Sequence, residues 1–185
     1  MANELLVSLL PGDVISFTAG GFGAGTDDPY RTVPFGLGKG ISLPAKATTG
    51  IYALVRVPNA VALVTGLTVN FVLADDSLNT GVGKNVYVDA VAGVIVSGTT
   101  TFDENAITGA LVGTTPVAAA VTIPVANAAG TPALVSASIV IPIANMPSLA
   151  AGAFAVVRFR RLGLNALDTN TTGRVIVGNV DFRNT

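Results

Sequence analysis

Three observations predict an all-β chain. Val, Ile and Thr number 26, 10 and 20 among 185 residues, while Glu, a favoured helix former, occurs only twice. β-Branched side chains suit a pleated, half-buried strand, so this bias favours sheet over helix. Twenty-one Gly and ten Pro also punctuate the chain at short intervals, as many short strands joined by turns require. No linker divides the sequence, and its length suits one folding unit with a substantial core. The expected architecture is a two-sheet antiparallel β-sandwich with jelly-roll connections over residues 29–185, preceded by an N-terminal arm over residues 1–28.

The arm comes first. LLVSLL is apolar but Pro11-Gly12 ends it, and the stretch Gly20 to Pro29 is too rich in turn residues for a regular element. A short strand at residues 13–18 sits between them. The body then gives eight strands: 39–43, 51–57, 67–73, 85–91 with 94–97, 117–125, 134–143, 154–162 and 174–182. Between them, PAKATTG, VPNA, DDSLNTGVGKN, NAAGTP and LNALDTNTTG supply the Asn, Asp, Gly and Pro of turns. Met146 to Ala151 reads as one helical turn, capped by Asn145 with Pro147 at an early helical position. The last two strands read as a long hairpin, in which Arg158 and Arg160 share one face and Val157 and Phe159 the other.

Composition excludes much chemistry. Only 11% of residues are charged, against about 25% in an ordinary soluble domain. Ten Lys and Arg against eleven Asp and Glu leave a formal charge of −1, so no positive field is present to hold nucleic acid or an anionic membrane. With no His and no Cys, the chain builds no common zinc site, thiolate nucleophile, disulfide or histidine-based triad.

The mean hydropathy of +0.66 raises the question of a membrane. Residues 105–157 contain no charged side chain at all, yet Pro116, Pro124, Pro132, Pro142 and Pro147 interrupt them. No run of about 18 apolar residues survives these breaks, as a spanning helix would require. Absent Trp and three Tyr are too few for the aromatic girdles of an outer-membrane barrel. Glu4 and the lack of an early Lys or Arg argue against a signal peptide, so the chain reads as soluble. The charge-free stretch is then expected either in a well-buried sandwich interior with Thr, Ser and Asn on the outer face or, the favoured reading, at a surface shared between subunits, because permanent interfaces are depleted of charge at their cores.

Candidate motifs mostly fail on spacing. Gly20 to Gly25 and Gly36 to Ile41 are glycine-rich, but neither has Gly-Lys followed by Ser or Thr at a helix start, as a phosphate-binding loop needs. Asp75, Ser77 and Asn79 alternate like calcium ligands, but no Gly stands at the sixth position and no Glu at the twelfth. Asp27-Asp28 and Asp103-Glu104 are adjacent carboxylates without aromatic platforms for a sugar, and read as loop residues. Asn170-Thr171-Thr172 matches a glycosylation sequon, which has little force without a signal peptide. No enzyme, metal or cofactor is expected. Arg158, Arg160, Arg161, Arg174 and Arg183 gather half of all positive charge near the C-terminus. Such a cluster meets either an acidic patch on a partner or Asp168 and Asp181 of the same chain. Phe22, in the Gly-rich segment, is a further candidate contact.

The segment Ser148 to Arg183 resembles the last hairpin of β-sandwich structural proteins from tailed bacteriophages. Gly152, Arg158, Arg160, Arg161, Gly163, Asp168, Thr169 and Gly173 carry the pattern. VRVPNAV (55–61), the strand around 70–73 and GKNVYVDA (83–90) are similar to central strands of the same group. The likeness extends over residues 40–183. It implies a virion structural protein made in the host cytoplasm, most like a capsid cement or decoration protein. Such a protein, a homotrimer on the capsid surface, bridges major capsid subunits. The alternative it implies is a tail, fibre or baseplate component, with glycan binding as one form of that role.

Overall fold

The computed structural model describes residues 5–9, 15–19, 31–35, 38–45, 48–58, 66–75, 83–95, 114–124, 134–146, 149–171 and 173–185. The strands are β1 (Leu5–Leu9), β2 (Ile15–Ala19), β3 (Arg31–Phe35), β4 (Gly38–Leu43), β5 (Thr48–Arg56) and β6 (Gly66–Asp75). They continue as β7 (Lys84–Val94), β8 (Val117–Ile123), β9 (Leu134–Pro142), β10 (Phe154–Leu162) and β11 (Val175–Asn184). The first sheet runs β3-β4-β11-β6-β9 and the second β2-β5-β10-β7-β8, with every pair antiparallel. The all-β expectation holds, and the two sheets pack as a sandwich.

The winding is that of a jelly roll. β4 pairs with β11, β5 with β10, β6 with β9 and β7 with β8, so the pairs nest inside one another along the chain. Each connection from β4 to β11 crosses between sheets, except the one from β7 to β8. The expected C-terminal hairpin is therefore absent: β10 lies in the second sheet and β11 in the first, and their twelve-residue connection spans the sandwich. Two long alternating strands joined by a turn look like a hairpin in sequence. Here each strand instead pairs within its own sheet on both edges, β10 with β5 and β7, and β11 with β6, β4 and β1.

Alternation explains the layers. Leu67, Val69, Phe71 and Leu73 of β6 face inward, as do Val86, Val88, Ala90 and Ala92 of β7 and Ala155, Val157 and Phe159 of β10. The Phe71 and Phe159 rings, one from each sheet, meet with centroids 4.8 Å apart at 49°. Burying two such rings stabilises the packing by about 1.5–3 kcal/mol each. In β11 the register slips between Val177 and Asn179, which leaves Gly178 as a bulge. That extra residue flips the alternation, so Val175 and Val177 before it and Val180 and Phe182 after it all face the core.

Two local expectations change. β7 is continuous through Gly93 instead of breaking after Val91. The helical turn expected at 146–151 is not seen in its described residues, 146 and 149–151; a 3₁₀ turn stands before them at Ile143–Asn145, closed by the Met146 N–H on the Ile143 carbonyl, and Met146 and Leu149 are buried in the core. Burial of these two apolar side chains outweighs the capping signal. Within residues 1–28, the described segments are strands: β1 pairs with β11 and β2 with β5.

Candidate functional site

The arginines grouped in the sequence are dispersed in the fold, with Arg161 between the sheets, Arg158 and Arg160 on the outward face of the second sheet and Arg183 on that of the first. Arg161 follows the inward parity of Val157 and Phe159, so it points between the sheets. Its Nε donates to Asp168 Oδ2 and its Nη2 to Asp168 Oδ1, both at 2.9 Å, and both side chains are wholly buried. The remaining donors reach the carbonyls of Gly173 (2.9 Å), Asn170 (2.5 Å) and Leu43 (3.2 Å). Leu43 belongs to the first sheet, so this one guanidinium ties β10 to β4 across the end of the sandwich. A planar fork with five donors suits this task, since each donor finds a fixed oxygen.

The same pair fixes the β10–β11 connection. The Asp168 N–H donates to the Asn165 carbonyl at 2.9 Å, the Thr169 N–H to the Asn85 carbonyl at 2.9 Å, and the Gly173 N–H to Asn170 Oδ1 at 3.0 Å. Asn170 is fully buried, which takes the asparagine of the sequon off the surface. Above this frame stand Leu164 and Leu167, 68% and 54% exposed. The connection is hydrogen-bonded beneath, and the two leucines project from it beside exposed Asn165, Ala166 and Thr169.

Arg158 and Arg160 lie on the outward face of the second sheet, yet both are buried. Arg160 is opposite Asp89 in the β10–β7 register and forms a two-pronged pair with it, Nε to Oδ1 at 2.9 Å and Nη2 to Oδ2. Arg158 is 1% exposed, and its pKa is pushed down to about 10. Burial is the main cause and the Arg160 charge adds to it, with Asp89 acting in the opposite direction. Arg174 donates to Ser42 Oγ at 2.6 Å, linking the start of β11 to β4. Arg183, on the outward face of the first sheet, pairs with Asp181 at 3.3 Å. The self-pairing anticipated with Asp168 and Asp181 is thus seen for Arg161 and Arg183. Asp89 had no sequence signal as the partner of Arg160, because the register that brings them together is not readable locally.

A second exposed apolar group lies on the outward face of the second sheet. Phe154 and Leu54 are 60% and 54% exposed, and the Arg56 guanidinium stands 6.0 Å from the Phe154 ring centre. Arg56 Nε also donates to the Gly152 carbonyl at 3.3 Å. Gly152 adopts a φ of 74°, and its N–H donates to the Val57 carbonyl at 2.9 Å, which sets the start of β10 against the end of β5.

The remaining motifs add no chemistry. Residues 38–41 of the second glycine-rich run form the start of β4, a strand in place of a phosphate loop. Phe22, the first glycine-rich run, Asp27-Asp28, Asp103-Glu104, Ser77 and Asn79 lie outside the described residues. Among the described residues no group of three or more Asp or Glu stands close enough to hold a metal ion, and no helix is long and apolar enough to cross a membrane.

No family model and no curated protein matches the chain. Among solved structures, it is similar to the enzymatically active domain of tailspike protein 4 from bacteriophage CBA120, with 12% identity and a TM-score of 0.39, over 93% of this chain. The chain spans 19% of that protein's length. A cleaved adhesin domain of Lys-gingipain from Porphyromonas gingivalis has 12% identity and a TM-score of 0.40, over 79% of this chain and 74% of that one. TmCBM61, in complex with β-1,4-galactotriose, has 9% identity and a TM-score of 0.35, over 80% and 70% of the two chains. At this identity and overlap the likenesses carry no argument about function.

Proposed function

We infer that the chain is a non-catalytic structural subunit of a tailed-phage particle, acting through surfaces that are already formed in the folded sandwich. The observation that carries this reading is the β10–β11 connection. Its Asp168 is spent internally on Arg161 of β10, and among its exposed residues Leu164 and Leu167 are the large apolar ones, set on a hydrogen-bonded frame beside Asn165, Ala166 and Thr169. An apolar tip on a rigid base loses little freedom when it docks, so more of its burial appears as affinity. Replacing both leucines, Leu164→Asp with Leu167→Asp, is expected to leave the unfolding midpoint within a few degrees of wild type and to remove the protein from assembled particles. Incorporation at the wild-type level would refute the docking role.

Within the particle, a tail, fibre or baseplate position is the favoured reading, on the Phe154–Leu54–Arg56 group. An exposed ring flanked by a guanidinium fits the apolar face and hydroxyls of a sugar. Binding on a glycan array, lost in Phe154→Ala, would support it. Capsid cementing as a homotrimer is the second reading, favoured by the charge-free residues 105–157, which would bury readily between subunits. Immuno-labelling of virions distinguishes the two directly, since label falls on the head in one case and on the tail in the other.

A further inference from the structure

Among the described residues, the 53 uncharged residues 105–157 hold β8, β9 and the first four residues of β10, and the topology sets β8 and β9 at sheet ends on the same side of the sandwich. Among the described residues, β9 pairs only with β6 and β8 only with β7. Open strand edges invite pairing with other chains, and natural sheets protect them with Lys, inward-pointing charge, bulges or very short strands. Neither strand uses any of these devices. β9 pairs over nine consecutive residues without a register shift, and its only Pro is the last residue. β8 does the same over seven. The inward-facing Val117 and Ala119 of β8 and Val135 and Ala137 of β9 remain only partly buried, and Leu134 and Val140 are exposed beside them.

We propose that the β8–β9 side of the sandwich is covered by a second copy of this chain, joined edge to edge. The size of the surface fits. Nine residues at about 3.4 Å each give an edge about 30 Å long, and two sheets about 10 Å apart with their outer side chains make it about 20 Å wide. The product, roughly 600 Å² per copy, brings a pair to the lower end of stable interfaces, about 1,200 Å² in total. The electrostatics fit as well. An oppositely charged partner gains nothing from an uncharged surface, whereas two copies with a formal charge of −1 meet there without repulsion. A partner must also present a neutral strand that alternates in step with the edge it joins, and this chain presents two such strands side by side. The proposal deepens the assembly reading above and rests on it for its setting, but it is tested on the purified protein, so it fails separately from any localisation result.

The experiment is light scattering on the full chain during size exclusion across the micromolar range, with Ser138→Lys and Ala120→Lys as variants. Both residues are exposed on outward faces, Ser138 at the middle of β9 and Ala120 at the middle of β8. Wild type should have the mass of two 18.5 kDa chains, since a self-complementary edge closes at a pair. The double variant should raise the dissociation constant about tenfold or more while keeping its circular dichroism and unfolding midpoint. Hydrogen exchange on wild type supplies a second readout that needs no variant: amides within residues 117–123 and 134–142 should exchange faster on dilution. A single-chain mass throughout, or an oligomer whose β8 and β9 amides exchange equally before and after dilution, overturns the proposal.

Discussion

Arg158 holds its proton less tightly in the folded protein than in the unfolded chain, and this sets a pH dependence of definite sign. Below about pH 10 the residue is charged in both states, and its burial lowers stability by a constant amount. As pH rises through 10 the folded protein releases the proton first, so the unfolded state binds more protons and stability attributable to Arg158 increases. Wild type should therefore gain on Arg158→Met above pH 10, with a flat difference below about pH 9, as read from urea midpoints at stepped pH. A difference that moves against wild type above pH 10 would contradict it. The Arg161–Asp168 pair behaves differently. Asp168→Asn leaves a wholly buried guanidinium without its counter-charge, and is expected to cost about 3–5 kcal/mol in chemical denaturation. Arg161→Lys should lose much of the same stability, because an ammonium on a flexible stem does not reach the Leu43, Asn170 and Gly173 carbonyls together. These roles were half legible in the sequence. The parity of β10 separates Arg161 from Arg158 and Arg160, but nothing local says that all three are buried, since charged side chains are expected at the surface.

Strands themselves were well marked by β-branched residues and turn chemistry, and most of their ranges agree with the sequence pattern to within a few residues. What the pattern did not carry was pairing. β3 at Arg31–Phe35 includes Pro34, which discourages a strand assignment, yet it lies at a sheet end where a missing donor is tolerated. β10 shows how closely the elements fit. A methyl group added at Gly50, which faces Arg160 across the β5–β10 register, would come within 2.6 Å of Arg160 Cγ and of the Phe159 carbonyl oxygen. Gly50→Ala should therefore displace the Arg160 side chain and the strand beneath it, lowering stability by about 1–3 kcal/mol, measured by the shift in denaturation midpoint. An unchanged midpoint would mean that β5 and β10 separate more easily than their register implies.

At the scale of the molecule, nearly every pairing joins distant parts of the chain. Ile41 meets Val177 and Tyr52 meets Arg158, so long loops have to close before these contacts form. Refolding after dilution from denaturant is expected in about milliseconds to seconds by stopped-flow fluorescence or circular dichroism, far slower than a helical domain of this length. A microsecond phase that accounts for the whole amplitude would refute that expectation. The scarcity of charge also takes a clearer form in three dimensions. Of the two buried pairs, Arg161–Asp168 fastens the interior and Arg160–Asp89 ties β10 to β7 on the outward face, while the long uncharged stretch holds the two sheet ends on one side.

The position of β11 has a mechanical consequence. It has β6 along its whole length on one edge, with β4 and then β1 in succession on the other. A load applied lengthwise at Thr185 would therefore act in shear, straining both ladders at once. The same load directed across the sheet at β9 would peel a single ladder one bond at a time. Anchored through β11, the sandwich would resist tension far better than it would if held by β9.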